Sequence, residues 1–119
     1  MTDEHKVWLS SLDFYKEDLN IIKNRLTEIA GKYSNNDIAA HIEHFENQLK
    51  IQFENIDILE HDINENLRNI AIEAAENTAG YINVELVIKH DSKKEVFQNT
   101  ERVINTLRQE FITFAAKWM

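Results

Sequence analysis

Histidine pairs are the residues of this sequence whose spacing could support chemistry. His41 and His44 are three residues apart, and at that spacing two imidazoles on one helix face can bind a single metal ion. Asp37 lies four residues before His41, and Asp57 lies four before His61. Each aspartate could hold its histidine in the charged form and so create a pH switch. Exposed helices carry such pairs without function, and a solvated surface pair is the simpler interpretation of both patterns.

Other catalytic patterns are missing from the sequence. None of the five histidines has a glutamate three residues before it, as the inward Glu-x-x-His pairs of ferritin-like di-iron bundles require. There is no cysteine, and two glycines cannot form a phosphate-binding loop. No Gly-x-Ser-x-Gly motif surrounds any serine. We therefore predict that the protein is not an enzyme and has no catalytic, cofactor-binding or metal-ligating residue.

The composition is that of a single soluble domain spanning residues 1–119. The 21 acidic and 13 basic residues give a net charge of −8, which disfavours binding to nucleic acid. No apolar run approaches the roughly 20 residues of a membrane-spanning helix. The first residues also lack a basic segment followed by an apolar one, so no signal peptide is expected. These features predict a cytoplasmic protein with no membrane or nucleic-acid partner.

Large apolar residues recur at alternating steps of four and three along most of the chain. There is no proline to interrupt helices, and there are only two glycines. A 3.5-residue period is typical of helices that pack side by side as in coiled coils. It predicts an all-α antiparallel helical bundle with a heptad-type core. We call the three rows seams; their members are Trp8, Leu12, Tyr15, Leu19, Ile22, Leu26 and Ile29, then Ile38, Ile42, Phe45, Leu49, Gln52, Ile56, Leu59 and Ile63, and finally Phe97, Thr100, Ile104, Leu107, Phe111, Phe114 and Trp118.

The number of helices depends on residues 61–66. This segment is polar, and Asp62 with Glu65 resembles a helix-starting capping box. Two steps of four fall together there, after which the predicted apolar row resumes as Leu67, Ile70, Ala74, Asn77, Tyr81, Val84 and Ile88. A turn at this point predicts four helices of similar length, which is the arrangement that we favour. The alternative is three unequal helices, with an overlong second helix that continues to Ala79 and is ended by Gly80.

Local signals refine these boundaries. Gly31 suits the position that ends a helix, and Ser34, Asn35 and Asn36 offer a cap for the next one. Residues 82–88 alternate in the manner of a strand, but a lone strand would have no partner, so helix is the interpretation that we favour for this segment. Ser92 and Glu95 form a capping box that predicts the start of the last helix.

Two further features bear on function. Gln52 is the polar member of the second seam, and a buried amide there lowers stability while fixing register or oligomeric state. Val7, Phe14 and Ile21 form a second apolar row on the first helix, which predicts an additional packing partner. The function predicted from these features is non-catalytic protein–protein interaction, with the chain itself as a homodimer or with another helical protein. The alternative is a metal- or small-ligand-binding bundle that uses His41, His44 and neighbouring carboxylates.

Overall fold

A computed structural model describes residues 2–33, 35–76 and 84–118 of the chain, with side chains described for 3–33, 35–75 and 88–118. Over these residues the chain forms three helices: α1 (Thr2–Lys32), α2 (Asn36–Glu76) and α3 (Val84–Trp118). None of these ranges contains a strand. The all-α prediction is therefore confirmed. The preferred count of four helices is wrong, and the structure has the alternative arrangement of three unequal helices.

The three helices form a rod with principal extents of 65 × 18 × 17 Å. Residue numbers fall along α2 as they rise along α1, from His5 against Asn66 to Lys16 against Glu60, so these two helices are antiparallel. Contacts between α1 and α3 advance in the same direction along both helices, from Trp8 against Phe97 to Tyr33 against Trp118, so these two are parallel. The topology is therefore an up-down-up bundle with α2 running against both neighbours.

The buried core follows the predicted seams. The hydrophobic side chains at these positions are almost all buried, and Leu12, Ile38, Ile56, Ile63 and Ile104 are 0% exposed. Tyr15 and Trp118 complete the rows as partly buried residues packed against this core. The alternating steps of four and three thus identify the inward face of each helix, because they keep side chains on one narrow side of an α-helix.

Helix ends agree with the sequence at one boundary and differ at another. The amide of Ile38 donates to Asn35 Oδ1 at 2.9 Å, so Asn35 caps the start of α2 as predicted. Gly31 does not end α1, because the helix continues to Lys32 and the Tyr33 amide still donates to the Ile29 carbonyl at 3.1 Å. The prediction that Gly31 adopts the terminating position is therefore wrong.

The predicted turn at residues 61–66 is wrong because a polar residue occupies a core position. Leu59, Ile63 and Asn66 are 2%, 0% and 4% exposed, and they continue the alternation of four and three without interruption. The predicted continuation of the row from Leu67 is wrong at the described residues, because Leu67 lies beside the core while Ala74 and Ile88 are exposed. Asp62 lies instead on the outside of α2, where Lys93 Nζ of α3 approaches its carboxylate to 3.2 Å.

The last helix begins earlier than its capping box predicted. Since α3 starts at Val84, Ser92 and Glu95 lie inside it, and the strand hypothesis is wrong for residues 84–88. The rest of that segment, together with Asn77, Ala79 and Gly80, lies outside the described residues. No described helix contains a window long and apolar enough to span a membrane.

Candidate functional site

A layer of polar side chains fills the core at one end of the bundle. Each helix contributes one member, His5 from α1, Asn66 from α2 and His90 from α3. Their exposed fractions are 0%, 4% and 5%, as low as those of the surrounding apolar core. We call these three residues the polar end layer. Buried polar groups are costly unless they are paired, so the hydrogen bonds of this layer determine what it can do.

The hydrogen bonds within the polar end layer are incomplete. Asn66 Nδ2 lies 3.1 Å from His5 Nε2 and donates to it. His90 Nε2 lies 3.3 Å from a carboxylate oxygen of Glu4, which is about half exposed at the edge of the bundle. Asn66 Oδ1 and His90 Nδ1 are buried and have no hydrogen-bond partner among the described residues. Two polar atoms of the layer therefore remain to be satisfied.

Trp8 packs against both imidazoles of the layer. Its ring centroid lies 5.0 Å from that of His5 and 5.0 Å from that of His90, on which it is stacked. The two imidazole centroids are 4.8 Å apart. Phe97 stacks on Trp8 at 5.6 Å. These ring contacts restrict the orientation of the two imidazoles, both of which are buried.

Sequence reasoning missed this layer because it followed apolar residues. The same heptad spacing, extended backward by seven, leads from Leu12 to His5 and from Phe97 to His90. Asn66 similarly lies three residues after Ile63. The spacing therefore carried the signal, and a search for polar residues at core positions would have found all three.

The histidines singled out in the sequence are on the surface. His41 is exposed and its ring lies 5.4 Å from that of Phe114, while His44 Nε2 lies 3.7 Å from a Glu110 carboxylate. In the described part of the chain, His41 forms no ion pair with Asp37. These residues line a shallow surface depression with Glu110 and Phe114.

The two residues of the second predicted pair, Asp57 and His61, each form an ion pair with another residue. Asp57 lies 3.2 Å from Lys16 of α1, and His61 lies 3.6 Å from Glu65. Among the described residues, His61, Asp62 and Glu65 form a group whose potential metal-ligating atoms lie within 4.8 Å of one another. His61 and Glu65 are exposed, and Asp62 is already paired with Lys93. This arrangement is typical of a solvated helix face.

An outward face of α1 carries apolar side chains that the bundle does not cover. Val7, Phe14 and Ile21 are 62%, 56% and 56% exposed. Each residue of an α-helix is rotated by 100° about the helix axis from the one before it. These three residues and the charged residues Asp3 and Arg25 therefore lie within about 40° of one another around α1. We call these five residues the α1 face. Large apolar side chains aligned on a surface mark sites of protein contact more often than isolated ones do.

A groove between α1 and α3 continues the α1 face toward the other end of the rod. Its volume is about 510 Å³, and Ile21 and Ile22 of α1 face Phe111 and Ile112 of α3 across it. Ile112 is itself 56% exposed. The apolar surface beside α1 is therefore wider than the single row Val7, Phe14 and Ile21.

Polar contacts fasten the middle of α1 to its neighbours. The Tyr15 hydroxyl donates to a Glu101 carboxylate oxygen at 2.6 Å, and burial together with this hydrogen bond raises the pKa of Tyr15 to about 12. On the other side, Lys16 Nζ lies 2.7 Å from Glu60 and 3.2 Å from Asp57, and the hydrogen bond to Glu60 raises the pKa of Lys16. These contacts hold α1 in one rotation about its axis, so the α1 face points outward.

Comparisons with protein-family models, with curated proteins and with solved structures give no match to this chain.

Proposed function

We propose that the protein is a non-catalytic helical bundle that acts by protein–protein contact, and that its first partner is a second copy of the same chain. The observation that carries this proposal is the exposed row Val7, Phe14 and Ile21 on α1. Each of these side chains is more than half exposed although it is large and apolar. Burial of such surface against another protein is favourable because it removes apolar area from water.

The order of residues on the α1 face supports pairing with itself. A two-fold interface requires that residue i contact residue j while j contacts i. Val7 and Ile21 lie seven residues on either side of Phe14, and Asp3 and Arg25 lie eleven on either side. When two copies of α1 pack antiparallel with Phe14 at the two-fold axis, Val7 of each copy faces Ile21 of the other. Phe14 then faces its own copy, and the apolar row is covered along its whole length.

Charge favours the same antiparallel arrangement. In this register Asp3 of one copy faces Arg25 of the other, so an oppositely charged pair closes each end of the contact. A parallel arrangement would place Asp3 against Asp3 and Arg25 against Arg25, which is repulsive. Opposite charges at the ends therefore select orientation, while the apolar row supplies the attraction.

The contact should be weak and dependent on concentration. A stable interface buries about 800 Å² on each partner. Three partly covered side chains and their neighbours on one helix offer less than that, even with Ile112 at the edge of the adjoining groove. We therefore expect monomer and dimer to exchange, with the dimer favoured as concentration rises.

Sedimentation equilibrium of the full chain over a wide concentration range tests the proposal. The mass should rise from that of one chain toward that of two, and Phe14→Glu should hold the protein at the mass of one chain. Ile58→Glu is the matched control, because Ile58 is 61% exposed on α2 and lies away from the α1 face. It should dimerise like the native chain. A native protein that remains monomeric throughout the range would contradict self-association.

A further inference from the structure

We propose that the polar end layer of His5, Asn66 and His90 binds one divalent transition metal ion, with Zn²⁺ as the reference case. The proposal rests on the buried polar atoms of this layer and is independent of self-association through the α1 face. It concerns different residues from the exposed pair His41 and His44.

The layer is short of hydrogen-bond donors. Glu4 lies 3.3 Å from His90 Nε2, and a carboxylate accepts hydrogen bonds, so the proton of a neutral His90 imidazole lies on Nε2. His90 Nδ1 then carries a lone pair, and it is buried without a partner among the described residues. The amide oxygen of Asn66 is a second buried acceptor that has no hydrogen-bond partner among the described residues. His5 Nε2 already accepts a hydrogen bond from the Asn66 amide at 3.1 Å, so an ion would take this lone pair as the Asn66 side chain turns its oxygen toward the ion.

A cation is the ligand that satisfies several lone pairs at once. The imidazole centroids of His5 and His90 are 4.8 Å apart, close to the separation of about 5 Å that two histidines sharing one ion would show at nitrogen–metal distances of about 2.1 Å. Two imidazoles and one amide oxygen suit Zn²⁺, Ni²⁺ or Cu²⁺ better than Mg²⁺ or Ca²⁺, which prefer oxygen ligands alone.

Glu4 supplies the support that metal-bound histidines commonly have. Such a histidine usually presents its second ring nitrogen to a carboxylate, which fixes the tautomer and raises the basicity of the ligating nitrogen. His90 and Glu4 have this relationship, at a distance of 3.3 Å. Trp8 stacks on His90 and holds the ring plane, so the site is ordered before an ion enters. The net charge of −8 also favours uptake of a cation.

Bundles build metal sites from side chains on facing helices, and the polar end layer has one such side chain from each of three helices. An ion held there would link α1, α2 and α3 near the start of α1. The native state should therefore gain stability when Zn²⁺ is present, because the ion binds the folded chain in preference to the unfolded one.

The test uses the full chain, prepared without a histidine tag and stripped with a chelator, and titrated with Zn²⁺ in a calorimeter. We expect one ion per chain and a higher melting temperature in Zn²⁺. Replacing His90 by Phe keeps a ring against Trp8 but removes both nitrogens, and it should abolish binding at the layer. Glu4→Gln, a change at an exposed position, should weaken binding by about tenfold or more, and it keeps the test informative if His90→Phe does not fold.

Surface histidines provide the matched controls. A His41→Ala/His44→Ala variant and a His61→Ala variant should bind Zn²⁺ as the native chain does, because their side chains lie outside the polar end layer. Quenching of Trp8 fluorescence by Ni²⁺, measured in a Trp118→Phe background, should follow the same pattern. The absence of stoichiometric Zn²⁺ binding, or binding that survives in both His90→Phe and Glu4→Gln, would overturn the proposal. Binding that is lost only in His61→Ala would also overturn it.

Discussion

Replacement of Gln52 by leucine tests whether the polar members of the seams reduce stability. Gln52 is 4% exposed, and its side chain lines a groove of about 330 Å³ between α2 and α3 together with Thr100. The Thr100 hydroxyl donates to the Val96 carbonyl at 2.9 Å and so already has a partner. Among the described residues, Gln52 has no hydrogen-bond partner, and its amide faces the groove. No Gln52 atom is among the fully buried polar atoms without a partner, so the groove gives the amide access to water in place of a protein contact.

The expected gain in the free energy of unfolding comes from replacing the amide group of Gln52 by the apolar methyl groups of leucine, which are of similar size. Full burial of a leucine side chain is worth about 1.5–3 kcal/mol. The native chain already has part of this burial energy, because the methylene groups of Gln52 are buried. A leucine at this position would also be less than fully buried, because water reaches the groove. We expect Gln52→Leu to raise the free energy of unfolding by about 1 kcal/mol, which corresponds to a rise of roughly 3–6 °C in melting temperature for a chain of this size.

Thermal unfolding followed by circular dichroism at 222 nm, at one fixed protein concentration, measures this change. Gln98→Leu is the control, because Gln98 is an exposed glutamine on α3 and its replacement should alter stability by less than about 0.5 kcal/mol. A marked fall in the melting temperature of Gln52→Leu would refute the reasoning. It would mean that the Gln52 amide holds a hydrogen-bond network on which the α2–α3 contact depends.

Two further substitutions test the helix boundary and the contact between α1 and α3. Gly31→Ala should raise the free energy of unfolding by about 0.5–1 kcal/mol, because Gly31 is helical and an added Cβ would meet no atom within 4 Å. Chemical denaturation measures this change, and a lower free energy of unfolding would mean that the backbone at this position needs glycine. Tyr15 should make stability fall between pH 10 and pH 12, since its pKa is about 10 in the unfolded chain and is raised to about 12 in the native one. The neutral hydroxyl therefore stabilises the fold fully below pH 10, and this contribution is lost as pH rises through the native pKa. Because solvent screens the partly exposed ring, we expect this loss of stability to be about 1 kcal/mol. Urea titrations at several pH values should show that the stability of Tyr15→Phe depends less on pH than that of the native chain. The same pH dependence in both proteins would contradict the Tyr15–Glu101 hydrogen bond.

The apolar spacing was sufficient to predict the helical class and the inward face of the helices over residues 8–63 and 97–118, but not over the row that starts at Leu67. Seam residues such as Leu19 and Ile56 are buried because helical geometry maps their spacing directly onto one side of the rod. The same argument predicted that Val7, Phe14 and Ile21 would form a separate row, and they do lie on a separate, exposed face. Helix periodicity is local, so it can be read without knowledge of the tertiary structure.

The helix count was not predictable from the same signals. Capping-box sequences at residues 62–65 and 92–95 occur inside α2 and α3, because packing against two neighbouring helices outweighs a local preference of about 1 kcal/mol. Asn66 concealed the continuity of α2, since a polar residue at a core position is indistinguishable from a surface residue until its partner is known. That partner, His5, is 61 residues away.

Disulfide cross-linking tests the proposed pairing of the α1 face most directly, because the native sequence contains no cysteine that could interfere. In the antiparallel register, residue 7 of one copy faces residue 21 of the other, whereas the two copies of residue 7 are about 21 Å apart. That separation exceeds the reach of a disulfide. A mixture of Val7→Cys and Ile21→Cys chains should therefore form the mixed disulfide on mild oxidation, while Val7→Cys alone should remain uncross-linked. Efficient linkage of Val7→Cys to itself, or no linkage in the mixture, would contradict the account.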